Sequence, residues 1–462
     1  MERLIELNAK IADMLAVPLM IFLIGGGIFL TIKLRFFQFK HFPHMMTFTF
    51  RTMFKKGDGE GTVTPFQAVA GAMASTIGAA NIIGVPVAIA FGGPGAVFWM
   101  WLIALIGMAT KYSEVVLGVK YRTVNKAGAY VGGPMYYIDK GLGWKWLAVL
   151  LAGAQLFVVF SSASVQANSL AGVLEGSFQI PSIVTGIVVS VLIILVMAGG
   201  IKTIGTFAER AVPSMVLVYM GAAIIVLLFH IDAVPHAFYL IFQHAFAPIS
   251  AVGGFAGAAL AAVIRWGVAR GLYSNEAGMG SAAIAHAGAQ NKNPATQGFW
   301  GVFEVFIDTM VVCTITALVI LTTDVWTAVG PDRAENMTML ALAEVFGQSA
   351  AGLIISVTLF VFALTTMLMV IYFGEKQAEY LFGYKASIVF RYVFISSILV
   401  GAASNLLFVW SLLDIAMVFV VVPNMIAVML LSGKVKEITR SYFSKKQDHG
   451  ENHKTNKHME QL

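Results

Sequence analysis

Long apolar runs separated by short polar stretches make up nearly the whole chain. The runs recur at roughly 20 residues, the length that crosses a hydrocarbon core of about 30 Å. Hydropathy over windows of about 19 residues predicts helices over 14–33, 64–91, 94–121, 146–172, 183–202, 206–229, 257–287, 297–322, 350–380, 385–404 and 406–432. The expected fold class is all-α and polytopic, with about eleven transmembrane helices. The pattern divides the chain into a first helix with its loop (1–63), five spans (64–229), a connector (230–256), five more spans (257–432) and a polar tail (433–462).

Two spans are apolar yet crowded with residues that a membrane helix avoids. Gly71 to Pro86 contains Ser75, Thr76, Gly78, Asn81 and Gly84, and Arg270 to His286 contains Ser274, Asn275, Glu276, Gly278 and Gly280. Unpaired backbone groups in hydrocarbon cost several kcal/mol each, so irregular backbone is tolerated only where it lines a cavity. Glycine supplies the torsional freedom for such a break. Freed carbonyls and amides can then hold an ion or a small solute, with half-helix dipoles adding partial charge. Close helix packing through small residues is the other reading of either segment alone. Position favours breaks: each segment opens a set of five spans, the trace of an inverted repeat with its site between the halves near the bilayer midplane.

Charge orients the spans. Lys33, Arg35, Lys40, Arg51, Lys55 and Lys56 follow the first span, and Lys120, Arg122, Lys126, Lys140 and Lys145 follow the third. Lys202 and Arg210 flank the loop after the fifth, Lys376 and Lys385 lie between the ninth and tenth, and the tail carries Lys434, Lys436 and Arg440. The connector and 323–349 contain only Arg333. The positive-inside rule then places the N-terminus outside and the C-terminus in the cytoplasm, in a cell (inner) membrane. The first apolar run lacks a small-residue cleavage site and is expected to be retained. The tail, 433–462, is expected to be disordered and cytoplasmic, most plainly from Ser441 to Leu462, rich in Lys, His, Asn and Gln. A metal site at His449, His453 and His458 is the minor alternative there.

Composition narrows the function. The 462 residues are 58% hydrophobic and 12% charged, with a mean hydropathy of +0.81. That charge is about half what a water-facing surface carries. The pI near 9.2 suggests nucleic acid only until the basic residues are seen to sit between spans, so the bilayer is the partner. Cys313 is the single cysteine, which excludes an intramolecular disulfide or a cysteine metal cluster. "GGPGA" is not followed by Gly-Lys-Ser/Thr and reads as a tight turn, not a phosphate loop. An intramembrane enzyme would need a nucleophile–base pair or metal cluster, and the spans hold no His-x-x-x-His or Glu-x-x-His run. A channel would show a repeated pore segment or rings of charge; neither is found. A transporter is left.

Glu276 is an intramembrane carboxylate, so it is paired, protonated or functional. Arg265 and Arg270 are candidate partners, and a structural ion pair weighs as much as contact with an ion or amine. Structural pairing is favoured for Lys111, Glu114 and Asp308.

At these residues the chain resembles the alanine or glycine:cation symporter family. The resemblance rests on "TPFQAVAGAMASTIGAANIIGV", "GGPGAVFWMW", "GMATKYSEVVLGVKYR", "YVGGPMYYIDKGLG", "VARGLYSNEAGMGSAAIAHA", "VFIDTMVVCTITAL" and "YFGEKQAEYLFG", from about Thr64 to Gly383. It implies a leucine-transporter-type fold of five plus five helices with one additional N-terminal helix, and sodium-coupled uptake of a small neutral amino acid. Sodium would lie among the carbonyls of Ala74 and Ile77 and the hydroxyls of Thr365 and Thr366. Hard cations take such oxygen ligands, although back-bonding is the other reading of the threonines. The resemblance puts the substrate among Thr76, Gly78, Ala79, Ala80, Asn81, Gln166, Ser274, Asn275, Glu276, Gly278 and Val370, carboxylate toward Gly78 to Asn81 and ammonium toward Ser274 to Gly278. Asn81 either braces the break or touches substrate, and Gln166 either faces substrate or bridges helices. Met369 and Val370 stand where most members carry Gly-Trp, and Ala79 and Ala80 where Thr or Gln and Gly are usual. Alanine or glycine is the default substrate, a larger neutral residue such as glutamine the alternative, and a monomer the default state.

Overall fold

The computed structural model describes residues 2–78, 80–247, 256–404 and 406–444. Ala79 and the tail histidines His449, His453 and His458 lie outside the described residues. Helix α1 (Glu2–Lys33) leads through α2 (Phe37–Lys40) and α3 (Phe42–Thr52) to the first interrupted helix. That helix comprises α4 (Pro65–Thr76), a π turn (Ala80–Gly84) and α5 (Val85–Gly92), with a bend of 45°. After α6 (Ala96–Lys120), strands β1 (Thr123–Val124) and β2 (Tyr130–Val131) form an antiparallel hairpin that pairs Thr123 with Val131. Then come α7 (Pro134–Tyr137), α8 (Lys145–Phe178), α9 (Ser182–Met197), α10 (Gly200–Phe229) and α11 (Val234–Phe246), the last inside the predicted connector.

The second interrupted helix comprises α12 (Ala256–Asn275) and α13 (Ser281–Ala287). It is followed by α14 (Pro294–Val305), a π segment (Phe306–Cys313), α15 (Thr314–Thr322), α16 (Val325–Ala328) and α17 (Met337–Phe346). Helices α18 (Gln348–Phe382), α19 (Tyr384–Ala402) and α20 (Leu406–Leu430) complete the bundle, and α21 (Ser432–Ser444) turns away from α20 by 55°. Among the described residues, six helices are long and apolar enough to cross a membrane, eight if each bent pair is one span. The apolar parts of α1 (Val17–Lys33) and α9 are shorter than a full span.

Helix α8 is the central post, packing against α18, α19 and α20. The two broken helices run side by side: α4 packs on α13, and α5 on α12. Small residues permit this closeness in a medium that gives helices no hydrophobic incentive to associate. A Cβ on Gly118 would stand 2.7 Å from the Ala283 carbonyl, and one on Gly401 2.4 Å from Ser164.

The basic loops converge on one face, as the charge pattern requires. Arg122 donates to the carbonyls of Ala287 (3.1 Å), Ala289 (2.6 Å) and Glu60 (2.6 Å), and Val63 pairs with Ala289 in a parallel bridge. On the same face Asn125 meets Glu379 (2.9 Å), and Tyr380 donates to Asp139 (2.9 Å).

One expectation is corrected. The polar tail was expected to be disordered from residue 433, and Ser441 to Leu462 to be free in the cytoplasm; residues 432–444 instead form α21, docked on the bundle. Tyr112 and Thr439 share a hydrogen bond of 2.7 Å, His44 meets the Tyr442 hydroxyl at 3.2 Å, and Phe443 stacks on His41 with centroids 4.0 Å apart. Buried Val435 and Thr439 and half-buried Tyr442 and Phe443 supply the inner face, too few to register as apolar in a window dominated by charge.

Candidate functional site

The first break is built from strong local signals. Thr64 accepts from the Gln67 amide (3.1 Å) while Gln67 Oε1 accepts from the Thr64 amide (3.0 Å), and Pro65 occupies the first turn. This capping box starts α4 firmly. The helix ends where Ile77 turns extended at ψ 103° and Gly78 follows. Gly78 donates its amide to Asn81 Oδ1 at 2.9 Å, so Asn81 braces the gap. A Cβ at Gly78 would lie 2.8 Å from Thr366 Oγ1 and 3.7 Å from Gln166 Nε2, which is why the position has no side chain.

The second break spans Glu276 to Gly280. Glu276, Gly278 and Gly280 all have positive φ (52°, 101° and 75°), a conformation that costs a non-glycine residue about 1–2 kcal/mol. Asn275 holds the end of α12, donating to the Gly271 carbonyl (2.8 Å) and accepting from the Ala277 amide (3.0 Å). Gly280 donates to Glu114 Oε1 (2.9 Å), and Asn424 donates to the Gly278 carbonyl (2.8 Å) and to Glu114 Oε1 (2.6 Å).

Asp308 joins the two breaks. Its carboxylate accepts from Asn81 Nδ2 (2.8 Å), from Thr309 Oγ1 (2.9 Å) and from the Ser274 hydroxyl. It is fully buried within the π segment, whose wider turn aims Asp308 and Thr309 between the broken helices. The contacts described for this carboxylate come from neutral donors. Asn81 follows the carboxyl end of α4 and Ser274 lies in the last turn of α12, so the negative ends of both helices approach this carboxylate. Carboxylate and rotatable hydroxyls together suit a positively charged group.

Of the residues expected to hold the ion, one pair meets. Thr366 Oγ1 donates to the Ala74 carbonyl at 3.0 Å. Thr365 faces differently: its hydroxyl donates to the Phe362 (2.9 Å) and Val361 (3.0 Å) carbonyls of its own helix and lies 3.8 Å from Met215 Sδ. Thr76 also bonds back, to Ala72 and Met73, both at 3.4 Å. Ala80 and Asn81 are buried in the π turn. Gln166 is buried beside Gly78 with its Oε1 unpartnered.

Other predicted residues lie elsewhere. Gly278 faces away from the first break, toward Leu23 and Met425, where a Cβ would stand 2.7 Å and 3.3 Å from their side chains. Val370 lines a small cavity together with Glu276. The Glu276 carboxylate accepts from Ser281 Oγ at 2.5 Å; Arg265 and Arg270, its candidate partners, lie by the Trp266 ring. Lys111 pairs with Glu304 at 3.0 Å, and His286 meets the other Glu304 oxygen at 3.4 Å. Asp308 and Glu304 are the polar centres that sequence reasoning undervalued. A buried carboxylate is itself a signal, but without the π segment nothing separates an inward from a pairing role.

Comparison with known proteins fits this geometry. The profile of the "Sodium:alanine symporter family" matches residues 1–457. The uncharacterised transporter YflA of Bacillus subtilis is 49% identical over 97% of this chain and 95% of its own length. The sodium/alanine symporter AgcS of Methanococcus maripaludis is 39% identical over 92% and 94%. Among solved structures, MhsT in complex with L-phenylalanine superposes with a TM-score of 0.60 at 17% identity, over 80% of this chain and 89% of that one, a likeness of fold. The chain belongs to the sodium:alanine symporter family, and is a multi-pass membrane protein of the sodium-coupled amino-acid symporter class.

Proposed function

We propose that this protein imports a small neutral amino acid, alanine or glycine, together with sodium by alternating access. The observation that carries the reading is the polar junction of the two broken helices, in which Asn81, Ser274 and Thr309 surround Asp308 while Thr366 meets the Ala74 carbonyl. Sodium would take the carbonyls of Ala74 and Ile77 and the Thr366 hydroxyl, with Thr365 contributing its remaining lone pair. The substrate's carboxylate would meet the amides from Gly78 to Asn81, and its ammonium the Asp308 and Ser274 side. Gln166 Oε1, buried and unpartnered beside Gly78, is a further acceptor for a substrate donor.

The full architecture belongs to the same reading: eleven spans, a five-plus-five inverted repeat over 64–229 and 257–432, N-terminus outside and C-terminus in the cytoplasm. Packing of α4 on α13 and of α5 on α12 supports it. One charge moving down 100 mV supplies about 2.3 kcal/mol before any concentration term, enough for useful accumulation.

A larger neutral substrate such as glutamine is the second reading. Val370 stands where an indole is usual, and Met369 Cε reaches within 3.2 Å of where a Cβ on Gly71 would sit, an adaptable wall. Competition of labelled alanine uptake by every neutral amino acid in proteoliposomes decides between them. Displacement by alanine and glycine alone supports the first; equal displacement by glutamine supports the second; no amino-acid competition sinks both.

A further inference from the structure

A cavity of about 20 Å³ lies between α8, the second break, α18 and α20. Its size is just above the roughly 10–15 Å³ that one water-sized particle needs. Its polar lining comes from Gln155, Ser162, Tyr273, Glu276 and Ser281, and no residue of α4 takes part. Gln155 is 2% exposed, and its Oε1 has no hydrogen-bond partner. A buried amide oxygen left without a donor costs about 1–3 kcal/mol, so an occupant that accepts electron pairs is called for.

Water and a cation both answer that description, and charge separates them. Glu276 is within electrostatic reach of Lys111, Glu304 and Asp308. Glu114, a turn from Lys111, is fully buried with Oε2 unpartnered. The one lysine already serves Glu304, while His286 sits between Glu304 and Gln297 (2.7 Å). Around this break, buried carboxylates outnumber the buried cations among the described residues. A bound monovalent cation offsets the excess, as does a proton on one of the carboxyls; a water molecule does not, and counting bound sodium separates cation from proton. Carboxylate, amide oxygen and hydroxyls are the oxygen donors that hard cations select.

We propose that this cavity is a second sodium site, with Glu276 and Gln155 as its principal ligands and Ser162 and Ser281 completing the shell. Glu276 is held there by its own backbone, since the positive φ at the break turns its side chain from the helix axis toward α8. An ion at this place ties the second break to α8 and α18, so its arrival and loss couple to movement of α13 against the bundle.

The inference rests on sodium being the coupled ion, and the test keeps the two apart. Bound radioactive sodium per chain is measured on the purified full-length protein at saturating sodium, with melting temperature recorded for each variant. The wild type should bind about two ions and Gln155→Leu about one; Thr366→Val should keep two, one of them about tenfold weaker, and Gln155→Glu should keep both. Glu276→Gln, which retains the Ser281 hydrogen bond, should also bind one, and it serves if Gln155→Leu does not fold. A wild-type count that neither Gln155→Leu nor Glu276→Gln lowers overturns the second site and leaves water in the cavity. Proton release in place of sodium binding at the cavity also overturns it. A wild type that binds no sodium sinks the coupling ion itself.

Discussion

Thr366 Oγ1 rests 3.0 Å from the Ala74 carbonyl, across 292 positions of sequence, and its neighbour Thr365 turns its hydroxyl onto its own helix. The two hydroxyls should therefore differ in effect. Thr366→Val, nearly isosteric, should raise the half-saturating sodium concentration roughly tenfold, about 1.4 kcal/mol. Thr365→Val should change it less than about threefold. Sodium titration of uptake measures both, and equal effects would return the threonines to a shared role.

Gly78 has no room for a methyl group. Gly78→Ala places a Cβ 2.8 Å from Thr366 Oγ1, so the variant should lose transport by more than about tenfold while folding normally. Uptake normalised to purified, monodisperse protein is the readout; wild-type uptake would mean that the first break is looser than described.

Asp308→Asn removes the charge at the junction and sets an amide against three donors. A lost partner of this kind costs about 1–3 kcal/mol in stability. Transport should fall further than stability does, since the substrate's ammonium loses its counter-charge. A variant that melts lower but still transports at the wild-type rate would confine Asp308 to a structural role.

Lys111 and Glu304 form a pair with neither side chain exposed. Lys111→Met leaves Glu304 buried against only His286 and should cost about 3–5 kcal/mol, seen as a large drop in melting temperature and yield. Pairing it with Glu304→Leu should recover most of the loss. If the double variant is no better than the single, the pair is not what holds α6 to α14.

Val370→Trp should narrow the substrate range, because the roughly 20 Å³ beside Glu276 cannot take an indole, which must then project toward the substrate. Large neutral amino acids should then compete less well than alanine by about tenfold, against no difference if the position does not wall the pocket.

The two breaks were legible because glycine, asparagine and serine in a membrane span violate a strong rule, and both breaks lie where that violation occurs. The clustering of basic loops on one face was legible for a similar reason, since charge between spans has a simple cause. Asp308 was not: its role depends on a π segment in α14–α15 that shifts the facing of residues by a fraction of a turn, and no residue type in "VFIDTMVVC" announces a π turn. For Gly278 the motif marks a break, but not its surroundings: Asn424 holds its carbonyl, and Leu23 and Met425 lie against it. Helix α21 escaped because its buried side chains are too sparse among lysines to stand out.

Uptake of labelled alanine into proteoliposomes, with an inward sodium gradient set against an equal gradient of potassium or choline, tests the sodium-driven mechanism most directly. Accumulation above equilibrium should occur with sodium alone, should need about tenfold more sodium in Thr366→Val and should collapse in Asp308→Asn. Equal accumulation under potassium or choline would contradict it.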